Sequence, residues 1–139
     1  MRRGLGVIAA VGLAACAQTA PPLPAPPPSI EGEWRVLAVN GRPTSGSARI
    51  VPPIFAIDFG CNSGRSGYRI ERFALVPVGP MGTTERGCVT LQDAPTDAMR
   101  HEDEGFRIAH RRMQVTFYGP DRARLSNEAG TIDLARRQP

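Results

Sequence analysis

The 139-residue chain contains no lysine: all 17 of its basic residues are arginines. That absence excludes a P-loop, whose lysine reaches the phosphates of a bound nucleotide. Histidine is nearly as scarce. His101 and His110 are the only two, and nine residues on one helix amount to 900° of rotation, which puts them on opposite faces. They cannot share a metal or form a proton relay there. No C-x-x-C pair occurs among the three cysteines. No apolar run exceeds the twelve residues of Gly4 to Ala15, and twelve helical residues rise about 18 Å, too little for a hydrocarbon core of about 30 Å. Hydrophobic residues at 41% and charged residues at 22% are ordinary values and exclude wholesale disorder. What is plentiful is glycine and proline, 15 and 14 residues, which favours short strands and turns over long helices.

The leader is the most specific segment. Arg2 and Arg3 form a positive stretch ahead of the apolar run, as in a secretory signal peptide. Leu13-Ala14-Ala15-Cys16 resembles a bacterial lipobox, in which the cysteine thiol takes a diacylglycerol and cleavage leaves Cys16 first. Acyl chains at about 0.8 kcal/mol per buried methylene hold such a protein on a membrane. Ala17, where an aspartate would by resemblance signal inner-membrane retention, favours the outer membrane. Residues 1–15 are thus expected to be a lipoprotein signal peptide. Residues 16–29 are the lipidated cysteine and a tether with six prolines among positions 17–29, an extended spacer of about 3.1 Å per residue. With Arg2 and Arg3 gone, 15 arginines face 13 acids, a balance of +2 against the full chain's +4. That surplus is too small to argue for nucleic acid.

All eight aromatics follow the tether, so the single core does too, in a domain spanning 30–136. Alternation predicts strands at Glu33 to Val39, ending in an Asn40-Gly41 turn, at Ile54 to Phe59, Ser66 to Glu71, Phe73 to Val78 and Met113 to Tyr118, and a final hairpin of Ala123 to Ser126 and Thr131 to Ala135. Phe73 is expected to share a face with Leu75. One helix is predicted from Thr96, a candidate N-cap, to about Arg111, with Met99 and Phe106 on one side; Met113 continues that seven-residue spacing but lies past the expected helix end. Gly105 weakens its middle by about 1 kcal/mol relative to alanine. Glu102-Asp103-Glu104 reads as a solvated face. The expected class is α+β: a small antiparallel, partly open β-barrel with one helix closing it.

With Cys16 lipidated, Cys61 and Cys88 remain as an even pair in an oxidising compartment. One disulfide is the obvious arrangement; two buried thiols or a redox pair are the alternatives. A bridge would close a loop of about 27 residues, worth roughly 3–4 kcal/mol.

Trp34 with Asn40-Gly41-Arg42-Pro43, then Phe59-Gly60-Cys61-Asn62-Ser63 with Gly64, Gly67 and Tyr68, then Met81-Gly82-Thr83-Thr84 leading to Cys88, together resemble the META domain family, whose best-known member is the heat-shock protein HslJ. The resemblance covers nearly all of 30–136. It implies a barrel-like fold, an envelope location, a link to stress and drug tolerance, and no established enzymatic activity. It makes Trp34, Gly60, Asn62, Gly67, Tyr68, Thr83 and Thr84 the structural or binding motif. The fold is also similar to that of pilotins, lipoproteins that handle apolar segments or lipid. The leading expectation is therefore a non-enzymatic, monomeric outer-membrane lipoprotein facing the periplasm. It would have no cofactor, no metal, no catalytic residues and no nucleic-acid partner, and would meet an unidentified envelope protein or lipid. The alternative is a pilotin-like or inhibitor-like lipoprotein binding an apolar peptide, lipid or secreted protein. A phosphate loop or nucleophile elbow at Gly60 to Gly67 is set aside, because the segment leads into a strand and does not fit G-x-S-x-G. Arg65, Arg69, Arg72 and Arg86 could form one anion-binding patch near that loop.

Overall fold

The computed structural model describes residues 27–85 and 97–138, with only the backbone for 97 and 98. The cleavage site, Cys16 and most of the tether lie outside the described residues, as do Arg86, Cys88 and Thr96.

Eight strands form one closed antiparallel barrel in sequential order: β1 (Gly32–Val39), β2 (Arg42–Val51), β3 (Ile54–Asp58), β4 (Ser63–Glu71), β5 (Ala74–Thr83), β6 (Met113–Phe117), β7 (Arg122–Asn127) and β8 (Gly130–Arg136). The helix α1 (Asp97–Ala109) stands between β5 and β6. The antiparallel barrel with one helix is as expected, but it closes completely where a partly open one was expected. β1 pairs with β8, Trp34 opposite Arg136 and Val36 opposite Leu134, so neither terminal strand keeps a free edge. The narrowest join is β5 to β6, with only Ala74↔Gln114 and Leu75↔Met113 in register.

Side chains fill the barrel. Trp34, Phe55, Ile57, Leu75, Leu125 and Ile132 are among the fully buried ones, and they come from the inward positions of alternating strands. Asn40 (φ 50°) and Gly41 (φ 75°) make the predicted two-residue turn, whose positive φ values match the twist of the flanking strands. The Asn40 side chain then ties that turn to the rest of the fold. Its Oδ1 accepts from Thr131 N at 2.9 Å and its Nδ2 donates to Glu104 at 3.0 Å. Gly130 (φ +141°) has to be glycine here, since a Cβ would lie 1.9 Å from Asn40 Oδ1.

Several sequence expectations are corrected. β2 was not foreseen: Arg42 to Ser47 (RPTSGS) has no apolar alternation, and only Ala48 and Ile50 reach the core. Its backbone is ordered by the ladders to β1 and β3 on either side. Phe73 does not share a face with Leu75. It sits in the β4–β5 turn, 69% exposed, beside Arg72 at φ 55°, while Ala74 and Leu75 are both buried. β5 runs on to Thr83 because a bulge around Gly79 (φ +76°) absorbs its glycine- and proline-rich middle: Gly67 pairs with Val78 but Arg65 with Gly82. The helix ends at Ala109, two residues short of the expected Arg111, while Met113 opens β6 as expected and is a core residue. The buried helix face is Glu102, Gly105, Ile108 and Ala109, spaced as one helical stripe. Glu102-Asp103-Glu104 is therefore not a uniformly solvated run: Glu102 is only 4% exposed.

Because the barrel is antiparallel, its turns sort to two ends. The β2–β3, β4–β5 and β6–β7 turns share one end with the start of β1 and the close of β8. The β1–β2, β3–β4 and β7–β8 turns share the other end with α1.

Candidate functional site

At the helix end, three motif residues converge. Phe59 N donates to Asn62 O at 3.2 Å and Gly60 N to Asp58 Oδ1 at 2.7 Å, which closes the β3–β4 turn. Gly60, at φ +106°, occupies the left-handed position of that turn. Thr84 is anchored to the same turn: its Oγ1 accepts from Ser63 N at 3.0 Å and donates to Asn62 Oδ1 at 3.1 Å, while Thr84 N donates to Ser63 O at 2.9 Å. The end of β5 is thereby stitched across β4 to the Gly-Cys-Asn turn.

Asn62, Thr83 and Thr84 form one wall of a groove of about 390 Å³, with Glu85 beside them. Met99, Glu102, Asp103 and Phe106 of α1 form the other. A second hollow of about 620 Å³ continues past Thr83, Asp103 and Phe106 towards Arg100, Arg107 and His110. Phe106 stands edge-on to the core ring of Phe59, with centroids 5.1 Å apart and planes at 87°. Close packing seats the helix: a Cβ on Gly105 would lie 2.4 Å from the Phe59 ring, and one on Gly64 2.7 Å from Phe106.

Glu102 lies at the base of the groove. Burial pushes its carboxyl above the usual range. Asn62, through side chain and backbone, partly opposes that shift, and the negative charges of Asp103 and Asp58 push it further up. Asn62 is the polar group that acts on the carboxyl, whose two oxygens are both buried. Burial of a carboxyl is costly. Glu104, one residue from the groove's Asp103, behaves oppositely: hydrogen bonds from Arg42 and Asn40 hold it below the usual carboxylate range.

The remaining motif residues lie elsewhere. Trp34 is in the core, its indole NH donating to Ile30 O at 2.7 Å, with the Arg136 guanidinium 4.2 Å from the ring centroid. Tyr68 donates to Glu31 at 3.1 Å. Its phenol is pushed up to about 12, first by burial and then by the Glu31 bond and charge. Gly67 flanks the β4–β5 irregularity. Trp34 and Tyr68 thus serve the end where the chain enters the barrel, whereas Asn62, Thr83 and Thr84 line the groove. Cys61 is half-buried beside Asn62, and its expected disulfide partner Cys88 lies outside the described residues. Among the described residues, Arg65, Arg69 and Arg72 do not make one patch by the loop. Arg69 pairs with Glu71 at 2.5 Å, Arg72 is in a turn, and Arg65 faces Arg49 across Ala56 on the outer wall. Among the described residues, no group of three or more histidine, cysteine, aspartate or glutamate side chains could hold a metal.

Sequence reasoning missed Glu102. The available signal was Gly105: a glycine inside a helix implies close approach, and position 102 lies one turn earlier on the same face.

The chain is similar in fold to a protein from Burkholderia xenovorans solved by NMR, with a TM-score of 0.59 and 15% identity over 88% of this chain and 98% of that one. At that identity the likeness shows the fold alone. No family model matches the chain, and no curated protein does.

Proposed function

We propose that the protein is a non-enzymatic envelope lipoprotein of META/HslJ type, anchored through Cys16 to the periplasmic face of the outer membrane, and that its helix-end groove is a binding site serving stress protection. The convergence of Asn62, Thr83 and Thr84 on the wall of a groove whose base is the buried carboxyl of Glu102 carries this reading. A buried carboxyl with a raised pKa in a concave polar site marks a candidate binding position. A barrel packed with side chains leaves ligand binding to its outside. The pilotin-like alternative needs an open apolar groove between helix and sheet. The groove instead presents three carboxylates (Glu85, Glu102 and Asp103) and three amide or hydroxyl side chains beside Met99 and Phe106.

The test is a deletion strain complemented with variants. The parent gene should restore heat-shock survival and yield a palmitate-labelled product that stays on membranes through a high-salt wash. Cys16→Ser should lose the label and wash off. Asp103→Arg, at an exposed groove position, should keep fold and label but not restore survival. A processed, salt-resistant, membrane-bound Cys16→Ser protein refutes the anchor. Full rescue by Asp103→Arg refutes the groove.

A further inference from the structure

The end of the barrel opposite the groove carries a second feature. Among the described residues, the large hydrophobic side chains left exposed are Val51, Ile70, Phe73, Val78 and Tyr118, at 39, 40, 69, 47 and 57%. Four of these five lie at one end: Phe73 and Tyr118 in the β4–β5 and β6–β7 turns, and Val51 and Ile70 at the closing ends of β2 and β4. The N-terminal segment enters the barrel at the same end. Arg136 fixes it there, donating to Ser29 O at 2.7 Å and to Glu31 O at 3.2 Å, and Arg136 N donates to Asp121 O at 2.8 Å in the β6–β7 connection.

This end is also basic. A cleft of about 420 Å³ beside the β6–β7 turn is lined by Arg35, Arg122, Arg136 and Arg137, with Asp121 as its single acid. Arg35, Arg122 and Arg137 make no ion pair among the described residues. Exposed aromatic and aliphatic side chains on the same end as a cleft of unpaired arginines are the composition of a surface that rests on anionic lipid. The apolar groups enter the headgroup–acyl boundary and the guanidinium groups hold phosphates.

We infer that the chain-entry rim of the barrel docks end-on against an anionic phospholipid leaflet, with Phe73 inserted and the Arg35, Arg122 and Arg137 cleft holding lipid phosphate. The inference rests on the lipoprotein reading for its location: on that reading 11 residues, from Cys16 to position 26 (26 − 15), link the anchor to the described chain, which enters the barrel at this rim. A domain on so short a tether meets its membrane at an effective concentration of about 1 mM, so weak docking is enough to populate the contact. In the docked orientation the groove, at the opposite end, faces away from the membrane.

The test uses the mature lipoprotein mixed with excess vesicles of phosphatidylethanolamine and phosphatidylglycerol whose acyl chains are brominated. The native Trp34 is fully buried and gives the background. Phe73→Trp places a reporter in the proposed contact. Its emission should be quenched about twofold or more beyond the parent's, since an interfacial side chain sits roughly 5–10 Å into the boundary. The excess quenching should vanish on neutral vesicles and near 1 M salt, where the screening length is about 3 Å. Replacing Arg35, Arg122 or Arg137 by glutamine should each weaken it about fivefold. Quenching of Phe73→Trp no greater than the parent's overturns the proposal. Mass spectrometry of the N-terminal peptide reports the acyl chains separately. An unacylated chain that is still quenched refutes the anchor alone, and an acylated chain that is not quenched refutes the docking alone.

Discussion

Replacing Gly105 by alanine sets two well-known effects against each other. In an exposed helix the change stabilises by about 1 kcal/mol, because glycine has more backbone freedom to lose on folding. Here the new methyl would lie 2.4, 2.5 and 2.7 Å from three atoms of the Phe59 ring, all inside van der Waals contact. The ring has little room to retreat: it is 3% exposed and stands edge-on to Phe106 at 5.1 Å. Overpacking of a filled core costs about 1–3 kcal/mol, and three simultaneous clashes put this site near the upper end. Subtracting the propensity gain leaves Gly105→Ala destabilised by about 2 kcal/mol. Urea unfolding should show a lower midpoint with an unchanged slope. Phe59→Leu alone also destabilises, by leaving a partial cavity, but in that background Gly105→Ala should lose most of its penalty, a coupling of about 1 kcal/mol or more. A Gly105→Ala protein as stable as the parent or more so, or a double variant with additive losses, refutes the claim that close approach to Phe59 fixes this glycine.

Glu102→Gln keeps shape and removes the charge. Because the folded state raises the Glu102 pKa above its ordinary 4.5, the folded protein holds that proton more tightly than the unfolded one. Stability therefore falls as pH rises from about 4.5 through the folded value. The variant should gain stability over the parent at pH 7 and gain less at pH 4, and a urea midpoint advantage larger at pH 4 contradicts this. For the cysteines, the unreduced mature protein should titrate with no free thiol at Cys61 or Cys88. Reduction should destabilise it by roughly 3 kcal/mol, as expected for a loop of about 27 residues. Two reactive thiols in unreduced folded protein exclude the bridge.

The parts of the fold legible in the sequence are those whose side chains alternate against one core. β1, β3 and β6 to β8 each carry two or more inward apolar residues at period two, and the Asn40-Gly41 turn announces itself through the residues that tolerate positive φ. β2 carries no such pattern over its first half, and its existence depends on partners distant in sequence. Phe73 misled because apolar spacing alone cannot tell a core residue from an exposed turn residue. At the groove, three of the motif residues, Asn62, Thr83 and Thr84, meet in space. Trp34 and Tyr68, drawn from the same motif, serve the opposite end. Glu102 was hidden because it stands in an acidic run, where helix geometry, not composition, decides which of three neighbouring carboxyls turns inward.

The pairing of β1 with β8 has a consequence for how the domain comes into being. Trp34 meets Arg136 across this ladder, so the contact that closes the barrel joins the two ends of the domain, about a hundred residues apart. Such closure waits for the whole chain and carries the largest loop entropy in the fold. Until β8 arrives, β1 and β7 are unpaired edges and the Trp34 site is open to water. A nascent chain that still lacks β8 therefore has no finished barrel, and folding of this domain is coupled to the arrival of its last strand.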